Sequence, residues 1–324
     1  MKRLSLFAHW DPDNEIDDCV IHYINELNRV SDVIFYTDSN LSDKELRKLD
    51  GITIKYGSGK HGEYDFGSYK RAYKLAVNDL GKYDQLILAN DSCYGPFYPL
   101  DELLEEAGSN NNDYWGLTRY KARSHGNIEH LQSYFLVLNK KVFNSSHFDN
   151  FILNIEKKFS KKEIVQCYEI GLSKLLDELN FKRGSKLESN SQNMAYRGDC
   201  LTLVKDSQFP FIKRDLLAKN PYNSPELIDK LIEITKQEGR KHIVRLMIKH
   251  IIRFNPRATK KWDMPSSEKN TIIIFNREIL KINYKNKNRY TWAKIKIFGV
   301  SLLKLPVKKL MTTEQALKQL DITI

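Results

Sequence analysis

The sequence predicts an α/β fold, a mostly parallel sheet flanked by helices, followed by a basic C-terminal extension. Three observations predict it. Short apolar runs alternate with amphipathic ones through the first half of the chain, the order of a βαβ protein. Polar residues gather just beyond the ends of the apolar runs, where ligands bind in such sheets. Charge is regional: the 324 residues carry +11 in total, yet Arg240 to Lys309 holds 19 Lys/Arg against 3 Asp/Glu. The division this suggests is 1–220 for the α/β domain and 221–324 for the basic, partly helical region.

Taken in order, Arg3–His9 reads as a buried strand and Glu15–Asn28 as an amphipathic helix. Ser31–Thr37 (SDVIFYT) is a second strand. Ser42–Leu49 is a short helix, with Ser42 as N-cap and Glu45 completing a capping-box pattern. Ile52–Tyr56 is a third strand, Ser68–Leu80 a helix, and Asp84–Ala89 a fourth, very apolar strand. Leu100–Ala107 is helical, and Asp113–Thr118 and Gln132–Leu138 are strands. Lys161–Leu179 is a long helix. After Pro210 the pattern turns helical, at Pro225–Gln237 and Arg240–Phe254. Thr271–Phe275, Glu278–Tyr284 and Lys294–Lys304 then read as extended.

Composition excludes several classes. No run approaches the roughly 18–20 apolar residues that span a bilayer, and Met1-Lys2-Arg3 leads directly into a strand rather than a signal peptide. The expected location is the cytoplasm. Cys19, Cys93, Cys167 and Cys200 are scattered without a CxxC spacing, which argues against a zinc ribbon and for reduced thiols. The basic region suits a polyanion. No RNA-binding or zinc-finger signature accompanies it, and no nucleic acid is expected as a partner, although Tyr284, Tyr290 and Trp292 interleave with lysines as stacking residues would.

Four segments carry candidate chemistry. Asn90-Asp91-Ser92 follows the fourth strand and precedes a Gly95-Pro96 turn. Asp91 there could hold a divalent cation, with Asn90 and Ser92 bonding phosphate or hydroxyl groups; the same residues also read as a plain turn. Asp65-Phe66-Gly67-Ser68-Tyr69-Lys70-Arg71 opens a helix. Free N–H groups at Gly67 and Ser68, with Lys70 and Arg71, would favour an anion; the alternative is a capped helix with solvated cations. Trp115 and the His130, Gln132, Ser133, Tyr134 stretch set aromatic and hydrogen-bonding groups beside one another, as sugar sites do, or as a core does. Glu169 lies beside the apolar stripe of the Lys161–Leu179 helix. Partial burial there would suit a general base; a solvated helix glutamate is the plain alternative.

In this order, DFGSYKRAY, YDQLILANDSCYGPFYPL, YWGLTR, HLQSYFLVLNKKVF, YEIGLSKLL and PFIKRDLL resemble the rhamnan synthesis protein F family, over residues 1–220. The resemblance implies a GT-A-like, Rossmann-type glycosyltransferase domain. The donor would be a nucleotide sugar, dTDP-rhamnose above all, and the acceptor a growing or lipid-linked bacterial surface polysaccharide. His9, Asp65, Gly67, Lys70, Arg71, Asn90, Asp91 and Ser92 would frame the donor. Trp115, His130, Gln132, Ser133 and Tyr134 would face the acceptor. Glu169 would be the base of an inverting displacement, with Asp91, Asp11 and Asp13 as rivals. Many such enzymes hold Mg2+ or Mn2+ with a DxD motif; Asn90-Asp91-Ser92 offers one carboxylate, so a metal bound through Asp91 and a metal-independent site both remain open. The other functional readings are a non-catalytic polysaccharide-assembly scaffold and a nucleic-acid-binding protein. Within the basic region, Arg245, Lys249 and Arg253 recur every four residues beside a broad apolar face from Ile243 to Phe254. That pattern predicts an interfacial helix docked on the anionic inner face of the cytoplasmic membrane.

Overall fold

The computed structural model describes residues 1–109, 111–121, 128–189, 199–221, 227–255, 257–258, 267–274, 277–287, 290–297, 300–309 and 312–322. They form two compact units, Met1–Gln192 and Asn193–Ile324.

The first unit is built on an eight-stranded sheet. Its strands are β1 (Arg3–His9), β2 (Asp32–Thr37), β3 (Lys55–Ser58), β4 (Gln85–Asn90), β6 (Tyr114–Tyr120), β7 (His130–Leu131), β8 (Phe135–Asn139) and β9 (Arg183–Ser189), with the two-residue β5 (Cys93–Tyr94) lying outside it. The order is β3-β2-β1-β4-β8-β6-β7, with β9 also pairing β6. The first four strands are mutually parallel. β8 runs antiparallel to both neighbours, and β9 is parallel to β6. The expected α/β class, a mostly parallel sheet flanked by helices, is what the chain adopts.

Central strands are apolar on both faces because both faces are covered. On β1, Leu4, Leu6 and Ala8 join a core with Tyr69, Ala72, Tyr73 and Ala76 of α3 (Tyr64–Ala76). On its other face, Phe7 packs edge-on against Tyr23 of α1 (Asp18–Asn28) and stacks on Phe35. Further helices are α2 (Asp43–Leu46), α4 (Leu100–Ser109), α5 (Lys140–Phe143), α6 (Ser146–Leu153), α7 (Lys161–Ile164) and α8 (Gly171–Glu178).

Two local expectations are corrected. Helix α3 begins at Tyr64, four residues before the expected Ser68, because Gly67 lies inside the helix rather than breaking it. The capping box at Ser42 is half made: Ser42 Oγ accepts from the Glu45 N–H, but the Glu45 carboxylate accepts from Ile16 N–H and Lys48 Nζ instead.

The second unit contains α9 (Asp199–Asp206), β10 (Ile212–Lys213), α10 (Arg214–Lys219), α11 (Leu227–Ile234), α12 (Arg240–Phe254) and α13 (Thr313–Gln319). A four-stranded antiparallel sheet, β11 (Ser267–Ile274), β12 (Arg277–Lys287), β13 (Tyr290–Ile297) and β14 (Val300–Lys309), pairs in sequence order. The single extended stretch expected at Lys294–Lys304 is thus parts of two strands. Helix α12 has the predicted bounds, but Ile243, Val244, Met247, Ile248 and Ile251 are all buried. Most of the apolar face expected to enter a membrane is thus part of the protein interior, with Ile252 half-buried and Phe254 exposed; of the basic stripe, Lys249 is exposed and Arg245 and Arg253 are half-buried. Among the described residues, no helix is long and apolar enough to cross a membrane.

Candidate functional site

The carboxyl ends of β1, β2 and β4 and the start of α3 meet in one polar cluster. Residues His9, Asp11, Thr37, Asp38, Ser39, Asn90 and Asp91 are all buried there. Burying so many polar groups is tolerable only when each is hydrogen-bonded, and the cluster shows how.

Asn90 is the organiser. Its side-chain oxygen accepts from both the N–H and the hydroxyl of Ser92, at 3.0 and 2.5 Å, and its amide donates to Asp65 Oδ2 at 3.0 Å. The Asn90 backbone N–H reaches the Tyr134 carbonyl. The Asn90 side chain thus ties Asp65 to Ser92, both of which are half-buried. Asp91 accepts from the Trp10 N–H through Oδ2, which also lies 3.8 Å from His9 Nε2. His9 Nδ1 pairs with Thr37 Oγ1 at 2.9 Å. His9 is 2% exposed, enclosed beside Asp91.

The start of α3 departs from the anion-binding expectation. Gly67 donates its N–H to the Glu63 carbonyl, so that group is not free for a phosphate. Glycine is required there for a different reason: an added Cβ would sit 2.3 Å from Glu63 Cβ and 2.7 Å from His61 Nδ1. Lys70 donates to the Ile155 carbonyl at 2.6 Å, and Arg71 to Glu63 and the Gly67 carbonyl. Both cations are thus engaged by groups of the protein itself. Arg71 also holds the Glu63 carboxyl below its ordinary value, overriding a burial effect that would raise it. Sequence reasoning missed the partner of this turn. Asp38, beyond β2, accepts from the N–H groups of His61 and Gly62. His61 Nδ1 accepts the Glu63 N–H and Nε2 meets Ser68 Oγ at 3.1 Å, so the neutral ring with its proton on Nε2 fits both bonds. Burial lowers the His61 pKa, against a raising influence from Asp38.

Glu169 joins the cluster from another side. It lies on a π-helical turn, Val165–Ile170, inserted between α7 and α8; such insertions often mark functional sites. Glu169 Oε2 accepts from the N–H and the hydroxyl of Ser133 at 2.7 and 2.6 Å. One turn on, Ser173 Oγ accepts from the Leu131 N–H. The helix thus clamps the 131–133 backbone. His130 places Nε2 3.7 Å from Glu169 Oε1, while its Nδ1 donates to the Ile128 carbonyl. Tyr134 bonds Thr118 through its hydroxyl, and half-buried Gln132 donates its backbone N–H to the Thr118 carbonyl.

Tyr69 sits at the junction. Its hydroxyl reaches the Ser133 carbonyl at 3.4 Å. Burial raises its pKa well above the ordinary phenol value, with the Asp65, Asp91 and Glu169 carboxylates adding to the rise and a hydrogen bond with Asn90 opposing it. Carboxylates from three segments of the chain thus act on one buried phenol. Sequence reasoning gave no role to Tyr69 or to Trp10, which is 45% exposed beside Asp91. Trp115 is not part of the group: it is 2% exposed and packs against Gly184 of β9. A β-strand tryptophan followed by glycine gave no sign of which face it would take.

For Mg2+ or Mn2+, the hard carboxylate oxygens are the right chemistry. Among the described residues, however, no three of Asp65, Asp91, Glu169 and their acidic or histidine neighbours in this unit approach closely enough to hold an ion unaided.

A doubly wound α/β domain with its polar groups buried at the strand ends is the class these features define. The particular family follows from the sequence itself. A family model described as "Rhamnan synthesis protein F" matches residues 33–298, so the chain belongs to that family, and the match extends past residue 220 into the second unit. No curated protein matches the chain. Among solved structures, core-mannan synthase A (CmsA/Ktr4) from Aspergillus fumigatus in its Mn/GDP form is similar at 10% identity, covering 53% of this chain and 70% of that one, with a TM-score of 0.32. The mannosyltransferase Ktr4p from S. cerevisiae is similar at 9% identity, 47% and 59% coverage, and TM-score 0.31. A cytidylyltransferase from Leptospira borgpetersenii is similar at 13% identity, 80% and 96% coverage, and TM-score 0.37. Likenesses this distant say nothing of substrate or ion.

Proposed function

We propose that the chain is a glycosyltransferase of polysaccharide synthesis. It moves a sugar, rhamnose from dTDP-rhamnose, to a growing or lipid-linked bacterial surface polysaccharide at the inner face of the cytoplasmic membrane. The observation that carries the reading is the convergence of Asp65, Asn90-Asp91 and the Glu169–Ser133 pair around Tyr69. Family membership supplies the substrate class.

The donor lies across the carboxyl ends of β1 and β4, bordered by Asp65, Ser92 and the exposed ring of Trp10, a platform for a nucleobase. Glu169 takes the proton of the acceptor hydroxyl as its oxygen attacks the anomeric carbon. The bond to the diphosphate breaks, the nucleoside diphosphate leaves, and a single displacement inverts the centre. Ser133 and the π-helical turn hold Glu169 in place through two hydrogen bonds to one oxygen, leaving Oε1 to take the proton. Asp91 is the residue that would hold a Mg2+ or Mn2+ ion, where one is used, and such an ion would supply charge neutralisation for the leaving diphosphate. Thermal unfolding measured against a panel of nucleotides and nucleotide sugars tests the reading, since a ligand bound only by the folded state raises its stability. A stabilising nucleotide should be matched by turnover of its sugar. No shift with any nucleotide, and no turnover, would favour a non-catalytic scaffold.

A further inference from the structure

The connection between α6 and α7 holds an aromatic ring wholly in solvent. Phe159 is 102% exposed, whereas the next most exposed large hydrophobic side chain beyond Met1, Val77, reaches 50% among the described residues. The backbone on either side of the ring is fastened. Lys70 Nζ donates to the Ile155 carbonyl at 2.6 Å. The Tyr168 hydroxyl accepts from the Glu156 N–H at 2.7 Å and donates to the Glu156 carbonyl at 3.0 Å. After the ring, Glu163 accepts the Phe159 N–H on Oε2 at 3.4 Å and the Ser160 hydroxyl on Oε1 at 3.2 Å, while Ser160 Oγ accepts from the Glu163 N–H at 3.3 Å. These bonds fix the turn with the Phe159 ring outward.

Lysines flank the ring. Lys157, Lys161 and Lys162 are exposed, and among the described residues none of the three makes an ion pair. Both acidic residues of the segment are already engaged: Glu163 in the cap, and Glu156 with Lys158 at 3.7 Å. Single apolar residues scattered over a surface are ordinary. A fully exposed ring on a pinned turn, amid unpaired cations, has a specific complement. A phospholipid surface offers anionic headgroups above hydrocarbon, so the lysines meet the first while the ring enters the second. A single-stranded nucleic acid would instead be met by several aromatics spread along a groove.

We propose that the 156–162 turn, with Phe159 as its apolar tip, docks the protein on an anionic phospholipid membrane. Tyr168, which fastens the turn, directly precedes Glu169 on the π-helical turn, so docking ties the segment that bears Glu169 to the lipid surface. Such docking rests on the membrane part of the functional reading. The two fail separately, because vesicle binding needs no donor and turnover on a soluble acceptor needs no vesicle.

The test is co-sedimentation of the full chain with phosphatidylglycerol-containing and pure phosphatidylcholine vesicles, at low and high salt. Wild type should bind the anionic vesicles in preference, and salt should weaken the binding. Each lysine near an anionic surface contributes about 1 kcal/mol, or about fivefold in partitioning. K157Q/K161Q/K162Q should therefore lose about a hundredfold. F159S removes the ring and leaves every charge in place, so it should lose about tenfold at low and at high salt alike. Both variants should keep the wild-type unfolding midpoint, because these side chains lie at the surface. If the triple variant does not fold, K161Q and K162Q singly should each lose about fivefold. No binding to anionic vesicles, equal binding to neutral ones, or undiminished binding by either F159S or the lysine variants would overturn the proposal.

Discussion

The two units treat polar residues in opposite ways. The first buries them: Asp11, Asp38, Asp91 and Asp113 lie inside it, along with His9, Asn90 and His130. In the second, the buried polar residues among those described are Asn220 and His250. Its charge is concentrated instead in one stretch, Arg240 to Lys309, with 19 Lys/Arg against 3 Asp/Glu. A buried polar group is fixed by specific partners, so each is irreplaceable. A surface charge acts through a summed field, so each is exchangeable. Substitutions in the first unit should therefore have large, individual effects, and those in the second small, additive ones.

The largest expected effect is at Glu169. Glu169→Gln keeps the shape and the bonds to Ser133 but cannot take a proton, so turnover should fall by about 10²–10⁴ while donor affinity stays near wild type. Steady-state kinetics with separate donor-binding measurements checks both halves. A variant that remained active would pass the role of base to another carboxylate. Next is Asp91→Ala, which should lose about two orders of magnitude in transfer while still folding. Repeating that assay with and without EDTA sharpens it: if Asp91 acts through a divalent ion, chelation depresses wild type to near the variant's level and leaves the variant unchanged.

A middle-sized effect separates fold from site within the first unit. Lys70→Met removes the bond to the Ile155 carbonyl and should cost about 1 kcal/mol of stability, measured by denaturant unfolding, with donor affinity unchanged. Weakened donor binding without lost stability would restore Lys70 to the donor site, where the sequence placed it. The contrast with the second unit is then complete if Lys249→Gln, at an exposed position of α12, changes the unfolding free energy by no more than about 0.5 kcal/mol.

What was readable in the sequence divides along similar lines. The strand at Arg3–His9, helix α12 and the Asn90–Ser92 turn could be located because apolar periodicity and turn chemistry are local signals. Glu169 and the 130–134 stretch could be grouped only through a family resemblance, yet Ser133 does bond Glu169. The local pattern is silent where a side chain's partner is distant in sequence. Lys70 and Arg71 read as anion ligands, but their partners are Ile155 and Glu63. Gly67 read as a source of free N–H groups, whereas its lack of a side chain makes room for Glu63 and His61. The α12 apolar face could not be assigned to lipid or core, because periodicity reports amphipathicity and not what lies opposite. Nothing in the local pattern predicted that Asp38 would hold the His61–Gly62 turn.

That turn supplies the smallest and most local effect. The His61 side chain is 3% exposed, with its proton on Nε2 and Nδ1 accepting the Glu63 N–H, so the folded protein favours the neutral ring. Its pKa is lowered in the folded state, burial outweighing the attraction of Asp38. The unfolded chain then binds the proton more readily than the folded one wherever pH lies below the ordinary imidazole value of about 6.5. Stability contributed by this residue is therefore fully present above that value and declines as pH falls toward the lowered folded value. Protonation also removes the acceptor for Glu63, loosening the start of α3 that carries Asp65. Unfolding midpoints measured from pH 7.5 down to 5.5 should decline in wild type, and decline less in His61→Asn, whose side chain can hydrogen-bond but does not titrate. Parallel curves for the two proteins would show that the acid sensitivity originates elsewhere, and that this buried histidine is held in its place without any linkage to pH.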